Sequence, residues 1–248
     1  MVSPNTEHAT ASAAPPAEKK PDPKPEIAAL IERARNSMKA IEHFTQAEAD
    51  ELVMAIGWHV VKEKEALAKL AVEEGGFGNF QDKVTKIRLR VTGTIRDMQG
   101  VKTVGVVEVD PAKGLVKIAK PVGVVAAIIP STGPDATPPM KALCALKGKN
   151  AIIMAAHPKT QKSSQLAVDL MRQGCKTLGV PEDLIQIIQQ PSIAKTQELM
   201  RQADLIVAIG GGAGTVCCPH HLDTASGDDE IGQAHELLGL GAGGLLDD

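Results

Sequence analysis

Three short segments of small, polar or glycine residues each follow an apolar run. They are "PSTGP" at residues 130–134, "AHPKT" at residues 156–160 and "GGGAGT" at residues 210–215. A glycine-rich turn from a strand into a helix exposes backbone N–H groups that suit a phosphate. Each segment alone is also compatible with a plain connection, and "GGGAG" differs from the GxGxxG dinucleotide fingerprint. Together they predict a ligand site for a nucleotide.

The elements around these segments alternate between strand and helix. Apolar runs such as "VGVVAAII", "NAIIMAA", "LIQIIQQ" and "LIVAIGG" are separated by amphipathic segments such as "TPPMKALCALKG" and "SIAKTQELMRQ". Continuous apolar strands between helices are typical of a parallel sheet covered on both faces. Open sheets of this kind bind ligands outside the carboxyl ends of their strands. The fold class predicted is therefore α/β, and all three segments are expected to line one crevice.

Helices and a hairpin precede this sheet. Apolar spacing predicts a helix from Glu26, a second from the capping box of Thr45 and Glu48 to the Gly75-Gly76 pair, and a third over 81–98. The segment "DPAKG", between two β-type runs, predicts a β-hairpin. The sequence predicts a disordered tail at 1–25, a helical region at 26–103, the hairpin with a nucleotide-binding domain at 104–216, and a divergent tail at 217–248.

Composition excludes several classes of protein. The net charge of -3 and the 2% of aromatic residues argue against nucleic-acid binding. No apolar run reaches the roughly 18 residues needed to cross a bilayer. The four cysteines lack zinc-type spacing, and the adjacent pairs Cys217-Cys218 and His220-His221 are wrong for a metal site. We therefore predict a cytoplasmic protein without a metal ion or a membrane partner.

Longer stretches resemble a known family. "AKPVGVVAAIIPSTGP", "ALKGKNAIIMAAHPKTQKSS" and "LGVPEDLIQIIQQPSIAKTQELMRQADLIVAIGGGAGTV" are similar to the nucleotide-binding domain of CoA-acylating aldehyde dehydrogenases. "EEGGFGNFQDKVTKIRLRVTGTIRDMQGVKTVGVVEVDPAKGLVKIAKP" resembles the same group. The likeness is greatest to the sulfoacetaldehyde dehydrogenase branch, and it covers residues 27–216.

The resemblance implies a Rossmann-like nucleotide-binding domain and an activity. Such enzymes oxidise a small aldehyde to an acyl-CoA, or run the reverse, with NAD or NADP and with coenzyme A as co-substrate, and they are homo-oligomers. A cysteine attacks the aldehyde, a hydride passes to the cofactor, and CoA resolves the thioester. The implied contacts are Pro130, Ser131 and Thr132 beside the nicotinamide and pyrophosphate, His157 and Pro158 near the adenosine ribose, and Gly210, Gly211 and Gly212 at the pyrophosphate.

Three positions depart from the family pattern. Gly133 stands where acylating members usually carry an asparagine, and Ala155 stands where many non-acylating relatives carry a ribose-binding lysine. After Val216 the resemblance stops, before the position of the nucleophile. We therefore expect no catalytic residue in this chain, which would be a truncated and inactive relative. The alternative is a non-enzymatic fragment that binds nucleotide or pairs with full-length subunits, and the choice between NAD and NADP stays open.

Overall fold

The computed structural model describes residues 22–209. Its helices and strands follow one another along the chain in this order: α1 Lys24–Ala40, α2 Gln46–Lys62, α3 Lys64–Gly75, α4 Phe80–Asp97, β1 Gly105–Asp110, β2 Leu115–Ala119, β3 Val124–Ile129, α5 Thr137–Lys147, β4 Ala151–Ala156, α6 Gln161–Thr177, β5 Ile185–Ile187, α7 Ile193–Gln202 and β6 Leu205–Val207. Within these residues the fold is mixed α/β, with helices and a parallel sheet.

Strands β3 to β6 form the parallel sheet, in the order β5-β4-β3-β6. Strand β3 pairs with β4 over its whole length, from Val124 opposite Ala151 to Ile129 opposite Ala156. All six residues of β4 are buried, as are five of the six in β3. This explains the unbroken apolar runs in the sequence, because both faces of these central strands are covered.

The helices cover the sheet in layers. Along the chain, β4 is added beside β3 and β5 beside β4, and β6 is then added on the opposite side of β3. Connections between parallel strands are right-handed, so this order places α5 and α6 on one face of the sheet and α7 on the other. Helix α5 contacts α6, and α2 packs over both, while α1 packs against α7 on the opposite side. Helices α2 and α6 approach closely, since a Cβ on Gly174 would lie 2.7 Å from the Cα of Ile56.

The predicted N-terminal helices are largely confirmed, with one correction. The capping box of Thr45 and Glu48 is formed in both directions, and Gly76 ends α3 in the left-handed conformation with φ 70°. The predicted single helix from Thr45 to Gly75 is wrong, because Glu63 leaves helical geometry at φ -101° and ψ 22°. The polar residues around Glu63 contribute nothing to the apolar stripe, so its spacing could not reveal the break.

Polar side chains close the amino edge of the sheet. Asn150 Oδ1 accepts hydrogen bonds from the backbone N–H groups of Val122 and Gly123, at 2.7 and 3.1 Å. The Asp204 carboxylate accepts from the N–H of Val124 at 2.8 Å and from Arg35 at 3.0 Å. Gly123 has φ +124°, and a Cβ there would lie 2.2 Å from Asp204 Oδ2, so the packing requires glycine.

The β1–β2 hairpin is antiparallel, as predicted, and carries exposed apolar side chains. Among the described residues its two strands contact mainly each other. The large side chains that are at least half exposed on it are Val106, Val109, Leu115, Val116 and Ile118. No helix between residues 22 and 209 is both long and apolar enough to cross a membrane.

Candidate functional site at the carboxyl edge of the sheet

Two of the three predicted segments meet at the carboxyl edge of the sheet. Pro130 directly follows β3, and His157 directly follows the neighbouring strand β4. The N–H of His157 donates to the carbonyl of Ile129 at 3.2 Å. This hydrogen bond links the two strand exits, by which we mean the residues that directly follow β3 and β4. Strand β6 ends on the other side of β3, but Gly210, Gly211 and Gly212 lie outside the described residues.

The 130–134 segment folds back tightly on the start of α5. The N–H of Thr137 donates to the carbonyl of Gly133 at 3.2 Å. A Cβ on Gly133 would lie 2.6 Å from Thr137 Oγ1, so a larger residue requires this threonine to move. Ser131 is half-buried and Thr132 is exposed, so the turn offers hydroxyl groups at its rim. The turn is therefore small and polar, and it has Gly133 at the position where the resemblance implies an asparagine.

Asp135, which directly follows this segment, belongs to a buried cluster of charged side chains. The Asp135 carboxylate is fully buried and lies 2.8 Å from Lys86 Nζ and 3.5 Å from Lys83 Nζ, both on α4. Burial lowers the pKa of the Lys83 ammonium, and the charge of Asp135 offsets part of that effect. Sequence reasoning missed the cluster, because its members are about fifty residues apart in the chain.

Lys141 lies at the point where the strand order reverses. Its Nζ donates to the carbonyl of Ile128 in β3 and to that of Val207 in β6, each at 3.0 Å. The chain leaves β3 toward β4 and returns to β6 on the opposite side, so the reversal falls between β3 and β6. Ligands of open α/β sheets bind at such switch points. Lys141 therefore links the carboxyl ends of β3 and β6 at the position where a ligand is expected to bind.

His157 is exposed, and its ring is held in one orientation. Its Nδ1 accepts a hydrogen bond from the N–H of Lys159 at 3.1 Å. A neutral ring that accepts at Nδ1 carries its proton on Nε2, which is then a donor. Pro158 begins a one-turn 3₁₀ helix that ends at Thr160. The second predicted segment thus presents an N–H donor at the rim of the crevice.

A carboxylate of this chain already occupies the amides at the start of α6. Glu74 accepts hydrogen bonds from the N–H of Lys162 at 2.8 Å, from the N–H of Ser163 at 2.7 Å and from Ser163 Oγ at 2.5 Å. A helix N-terminus of this kind attracts an anion. Here Glu74 supplies that anion, so this end of α6 is closed to a ligand phosphate.

The carboxyl end of α3 and the residues after it lie beside the candidate site. A Cβ on Gly75, the last residue of α3, would lie 3.3 Å from Thr160 Cγ2 and 3.8 Å from the carbonyl oxygen of Ser131, so this end of the helix is close to the segments after β3 and β4. The ring of Phe77 is 43% exposed, and Lys159 Nζ lies 4.7 Å from its centroid. The sequence motif "GGFGN" predicted a helix stop there, and its place at the crevice was not foreseen.

Some polar atoms near this edge have no partner in the described part of the chain. They are Thr160 Oγ1, Gln161 Oε1 and Ser164 Oγ, all buried and all in the first turns around the start of α6. Buried polar atoms are nearly always hydrogen-bonded to protein, water or ligand. These three buried atoms beside the start of α6 therefore keep unused hydrogen-bonding capacity within the described residues.

Two cysteines fall within the described residues, and burial raises the pKa of both thiols. Cys144 lies on α5, and burial raises the pKa of its thiol to about 11. Cys175 lies near the far end of α6, and burial raises the pKa of its thiol to about 12. Cys217 and Cys218 lie outside the described residues. Across residues 22–209 no group of three or more His, Cys, Asp or Glu residues is placed to hold a metal ion.

Comparisons with curated proteins point to acylating aldehyde dehydrogenases. A sulfoacetaldehyde dehydrogenase from an Acholeplasma species is 47% identical over 184 residues, which are 73% of this chain and 38% of the relative. A sulfoacetaldehyde dehydrogenase (acylating) from Bilophila wadsworthia is 44% identical over 75% of this chain and 40% of its own length. The chain thus spans about two-fifths of the length of these relatives.

Solved structures agree with the sequence comparisons. An acetylating aldehyde dehydrogenase from Geobacillus thermoglucosidasius superposes with a TM-score of 0.74 at 38% identity, covering 77% of this chain and 43% of that one. An engineered glycolyl-CoA reductase with bound NADP+ has a TM-score of 0.65 at 26% identity over 77% of this chain and 44% of its own. A propionaldehyde dehydrogenase from Rhodopseudomonas palustris with bound CoA has a TM-score of 0.67 at 25% identity, with the same two coverages.

The family assignment rests on a match to most of the chain. The sequence profile described as "Aldehyde dehydrogenase family" matches residues 3–214. A relative that is 44% identical is named as acylating, and the similar folds include an acetylating aldehyde dehydrogenase. The chain therefore belongs to the aldehyde dehydrogenase family.

Proposed function

We propose that this chain provides the nucleotide-binding part of a CoA-acylating aldehyde dehydrogenase. The activity proposed is oxidation of a small aldehyde to an acyl-CoA with NAD or NADP. The observation that carries the proposal is the meeting of the two polar exits, after β3 and β4, at one edge of the sheet. That edge is where parallel sheets bind nucleotides.

The side chains of the crevice fit such a ligand. The Ser131 and Thr132 turn is small and polar, and Gly133 leaves its backbone bare. The Nε2 donor of His157 suits a ribose hydroxyl or a phosphate oxygen. A bound NAD or NADP would supply a hydride acceptor.

Each predicted contact residue keeps its proposed role. Those roles are Pro130, Ser131 and Thr132 at the nicotinamide and pyrophosphate, His157 and Pro158 at the adenosine ribose, and Gly210, Gly211 and Gly212 at the pyrophosphate.

The proposed substrates follow from the relatives. The two curated relatives described above are named for sulfoacetaldehyde, and one of them is named as acylating. One similar structure holds CoA and another holds NADP+. We therefore propose sulfoacetaldehyde as the aldehyde and coenzyme A as the acyl acceptor of the reaction to which this chain would contribute its nucleotide site.

Catalysis requires a thiolate that the described residues do not supply. Cys144 is half-buried and Cys175 is buried, the pKa of each thiol is raised, and neither cysteine lies in the loops that follow β3 and β4. A nucleophile has to approach the carbonyl carbon within about 3 Å as a thiolate. The proposal is that this chain alone binds nucleotide and does not turn over aldehyde. This favours the second candidate function, a non-enzymatic module that binds nucleotide or pairs with other subunits.

A direct assay separates the two functions. The purified chain is mixed with sulfoacetaldehyde, coenzyme A and either NAD or NADP, and cofactor reduction is followed by absorbance. The expected result is no turnover together with measurable nucleotide binding by titration calorimetry. CoA-dependent turnover that disappears in Cys217→Ala or Cys218→Ala would establish a complete enzyme and contradict the module.

Self-association is the proposed partner interaction. The hairpin exposes apolar side chains on both strands, and Val106 and Ile118 form one cross-strand pair. Apolar patches of this kind commonly mark interaction sites. Light scattering is expected to show an oligomer of this chain, and the double variant Val106→Thr with Ile118→Thr is expected to shift it toward the monomer. A cytoplasmic location stays a prediction.

A further inference from the structure

We propose that Glu74 is a positioning residue of the candidate nucleotide site at the carboxyl edge of the sheet. Its carboxylate takes the place of a free anion at the start of α6, and it thereby holds the segments after β3 and β4 in the arrangement that binds a nucleotide. The inference rests on the proposed function, because it gives a residue of α3 a role in the same site. Helix α3 carries none of the contact residues proposed above.

The hydrogen bonds of the Glu74 carboxylate are the first observation. The backbone N–H groups of Lys162 and Ser163 donate to its two oxygens at 2.8 and 2.7 Å, and Ser163 Oγ donates at 2.5 Å. Lys162 and Ser163 are the second and third residues of α6, where backbone N–H groups have no partner within the helix. Hydrogen bonds to a carboxylate are stronger than those between neutral groups. Glu74 therefore joins the end of α3 firmly to the start of α6.

The residue after Glu74 extends this link to both segments, which is the second observation. Gly75 is buried, and a Cβ on it would lie 3.3 Å from Thr160 Cγ2 and 3.8 Å from the carbonyl oxygen of Ser131. Thr160 belongs to the segment after β4, and Ser131 belongs to the segment after β3. A displacement of the end of α3 is therefore expected to change the positions of both segments.

The other buried polar side chains at the start of α6 contribute less to holding it. Within residues 22–209, Thr160 Oγ1 and Ser164 Oγ are buried and have no hydrogen-bond partner. Gln161 donates through Nε2 to the carbonyl of Ile188 at 3.2 Å. Glu74 thus accepts three hydrogen bonds here, whereas Gln161 donates one. Loss of the Glu74 carboxylate is expected to loosen this end of α6.

The negative charge of Glu74 makes the direction of the expected effect diagnostic. NAD contains a pyrophosphate, so a carboxylate near its site repels it, and removal of that charge alone strengthens binding. Loss of a positioning contact has the opposite sign, because a looser site loses more conformational entropy when it binds. The carboxylate is half-buried and its charge is offset by the helix end, so we expect the positioning effect to be the larger.

Titration calorimetry of the full 248-residue chain with NAD tests the inference. Glu74→Ala is expected to weaken binding about tenfold, at a temperature where circular dichroism shows the variant to be folded. A merely structural role would lower the thermal midpoint and leave the affinity of the folded chain unchanged. Glu73→Ala is the matched control, because Glu73 is an exposed neighbour on α3 with the same charge. Its affinity is expected to be unchanged or slightly higher.

Chemical rescue separates a missing anion from a missing side chain. Glu74→Ala leaves space beside N–H groups that attract an anion, so added acetate is expected to restore the NAD affinity to within about threefold of wild type. Glu74→Gln fills the same space, but it has one acceptor oxygen and turns an amide N–H₂ toward a donor. This variant is expected to bind about as weakly and to show no response to acetate. The wild-type chain at the same acetate concentration controls for ionic strength.

Ser163→Ala is a milder variant that keeps the carboxylate and both of its backbone hydrogen bonds. It is expected to fold like the wild-type chain and to weaken NAD binding about two- to threefold, since one of three hydrogen bonds is lost. It keeps the inference testable where Glu74→Ala does not fold without acetate. An affinity equal to that of wild type in Ser163→Ala would count against the role of this contact.

The outcomes distinguish this inference from the proposed function. NAD binding that is unchanged or tighter in folded Glu74→Ala would overturn the positioning role and leave nucleotide binding intact. Weaker binding that acetate does not restore, or that acetate restores equally in Glu74→Gln, would overturn the role of Glu74 in place of an anion. No binding of NAD to the wild-type chain would overturn the proposed function together with the positioning role.

Discussion

The two edges of the parallel sheet are built for different purposes. At the amino edge, Asn150 and Asp204 satisfy successive backbone N–H groups, and Gly123 leaves no room for a side chain. At the carboxyl edge, Thr132 and His157 are exposed, and buried hydroxyls next to them lack partners in the described residues. The same strands are thus fixed at one edge and left with unused polar groups at the other. We infer that the amino edge contributes more to stability, whereas the carboxyl edge is the better candidate for ligand binding.

The buried ion pair of Asp135 and Lys83 lies at the carboxyl edge but is expected to contribute strongly to stability. Breaking it gives the largest expected change in the free energy of unfolding. Asp135→Asn leaves Lys83, which is 5% exposed, without its carboxylate. Breaking a buried ion pair in this way costs about 3–5 kcal/mol of unfolding free energy. Denaturant unfolding of the variant measures the loss. Asp97→Asn, an exposed residue on the same helix as Lys83, is the matched control, with an expected change below about 0.5 kcal/mol.

The stability loss of the Asp135→Asn variant is expected to depend on pH. Burial lowers the folded-state pKa of Lys83 below 10.5, and loss of the Asp135 charge lowers it further. Between that folded pKa and 10.5 the unfolded chain binds more protons, so stability rises with pH. The difference between variant and wild type is therefore expected to be largest at neutral pH and to shrink as the pH rises toward 10.5. A difference that does not change with pH would show that Lys83 is not the source of the cost.

Gly123→Ala is expected to damage the amino edge almost as severely. The new Cβ would displace the Asp204 carboxylate, which lies 2.2 Å from that position, and would break its bond to the Val124 N–H. We expect a loss of about 3 kcal/mol from the strain and the unpaired N–H. Gly114→Ala has φ +64° and no neighbour within 4 Å, so it is the control for strain alone, at about 1 kcal/mol. Equal losses in the two variants would contradict the role of Asp204.

Burial of the thiols predicts slow alkylation. The pKa of Cys144 is raised from 9.0 to about 11, so at a given pH below both values its thiolate is roughly a hundredfold scarcer than in the unfolded chain. Iodoacetamide labelling followed by peptide mass spectrometry is expected to show Cys144 and Cys175 protected in the native chain and labelled in urea. Rapid native labelling of Cys144 would instead mark it as a candidate nucleophile near the crevice.

The hydroxyls of Ser131 and Thr132 at the carboxyl edge are expected to matter least for stability. Ser131→Ala and Thr132→Ala should each change the unfolding free energy by less than about 0.5 kcal/mol, because neither side chain is fully buried. Nucleotide affinity is expected to fall by about three- to tenfold, the value of one neutral hydrogen bond. Calorimetry measures both effects, and a stability loss comparable to that of Gly123→Ala would contradict the contrast between the edges.

Local patterns in the sequence were sufficient for much of the fold. The apolar runs predicted β3 and β4 because both strands are buried on two faces. The caps at Thr45 and Ser192, and the left-handed Gly76, follow from rules that involve only neighbouring residues. The positions of the exits after β3 and β4 then follow from the direction of a parallel sheet.

The site itself depends on contacts that no local pattern encodes. Glu74 reaches Ser163 across 89 positions, and Lys83 reaches Asp135 across 52 positions. Phe77 meets Lys159 only because α3 ends beside the sheet. Spacing along the chain carries no signal for such pairs. The sequence therefore predicted that the segments after β3 and β4 lie at one end of the sheet, and the structure added the charged and aromatic side chains around them.

The central claim, nucleotide binding at the carboxyl edge, is tested most directly by an amide NMR titration of the chain with NAD. Chemical shifts are expected to change at Ser131, Thr132 and His157, and to stay constant at Asn150 and Asp204 on the opposite edge. Changes centred on the amino edge, or none at saturating NAD, would contradict the account.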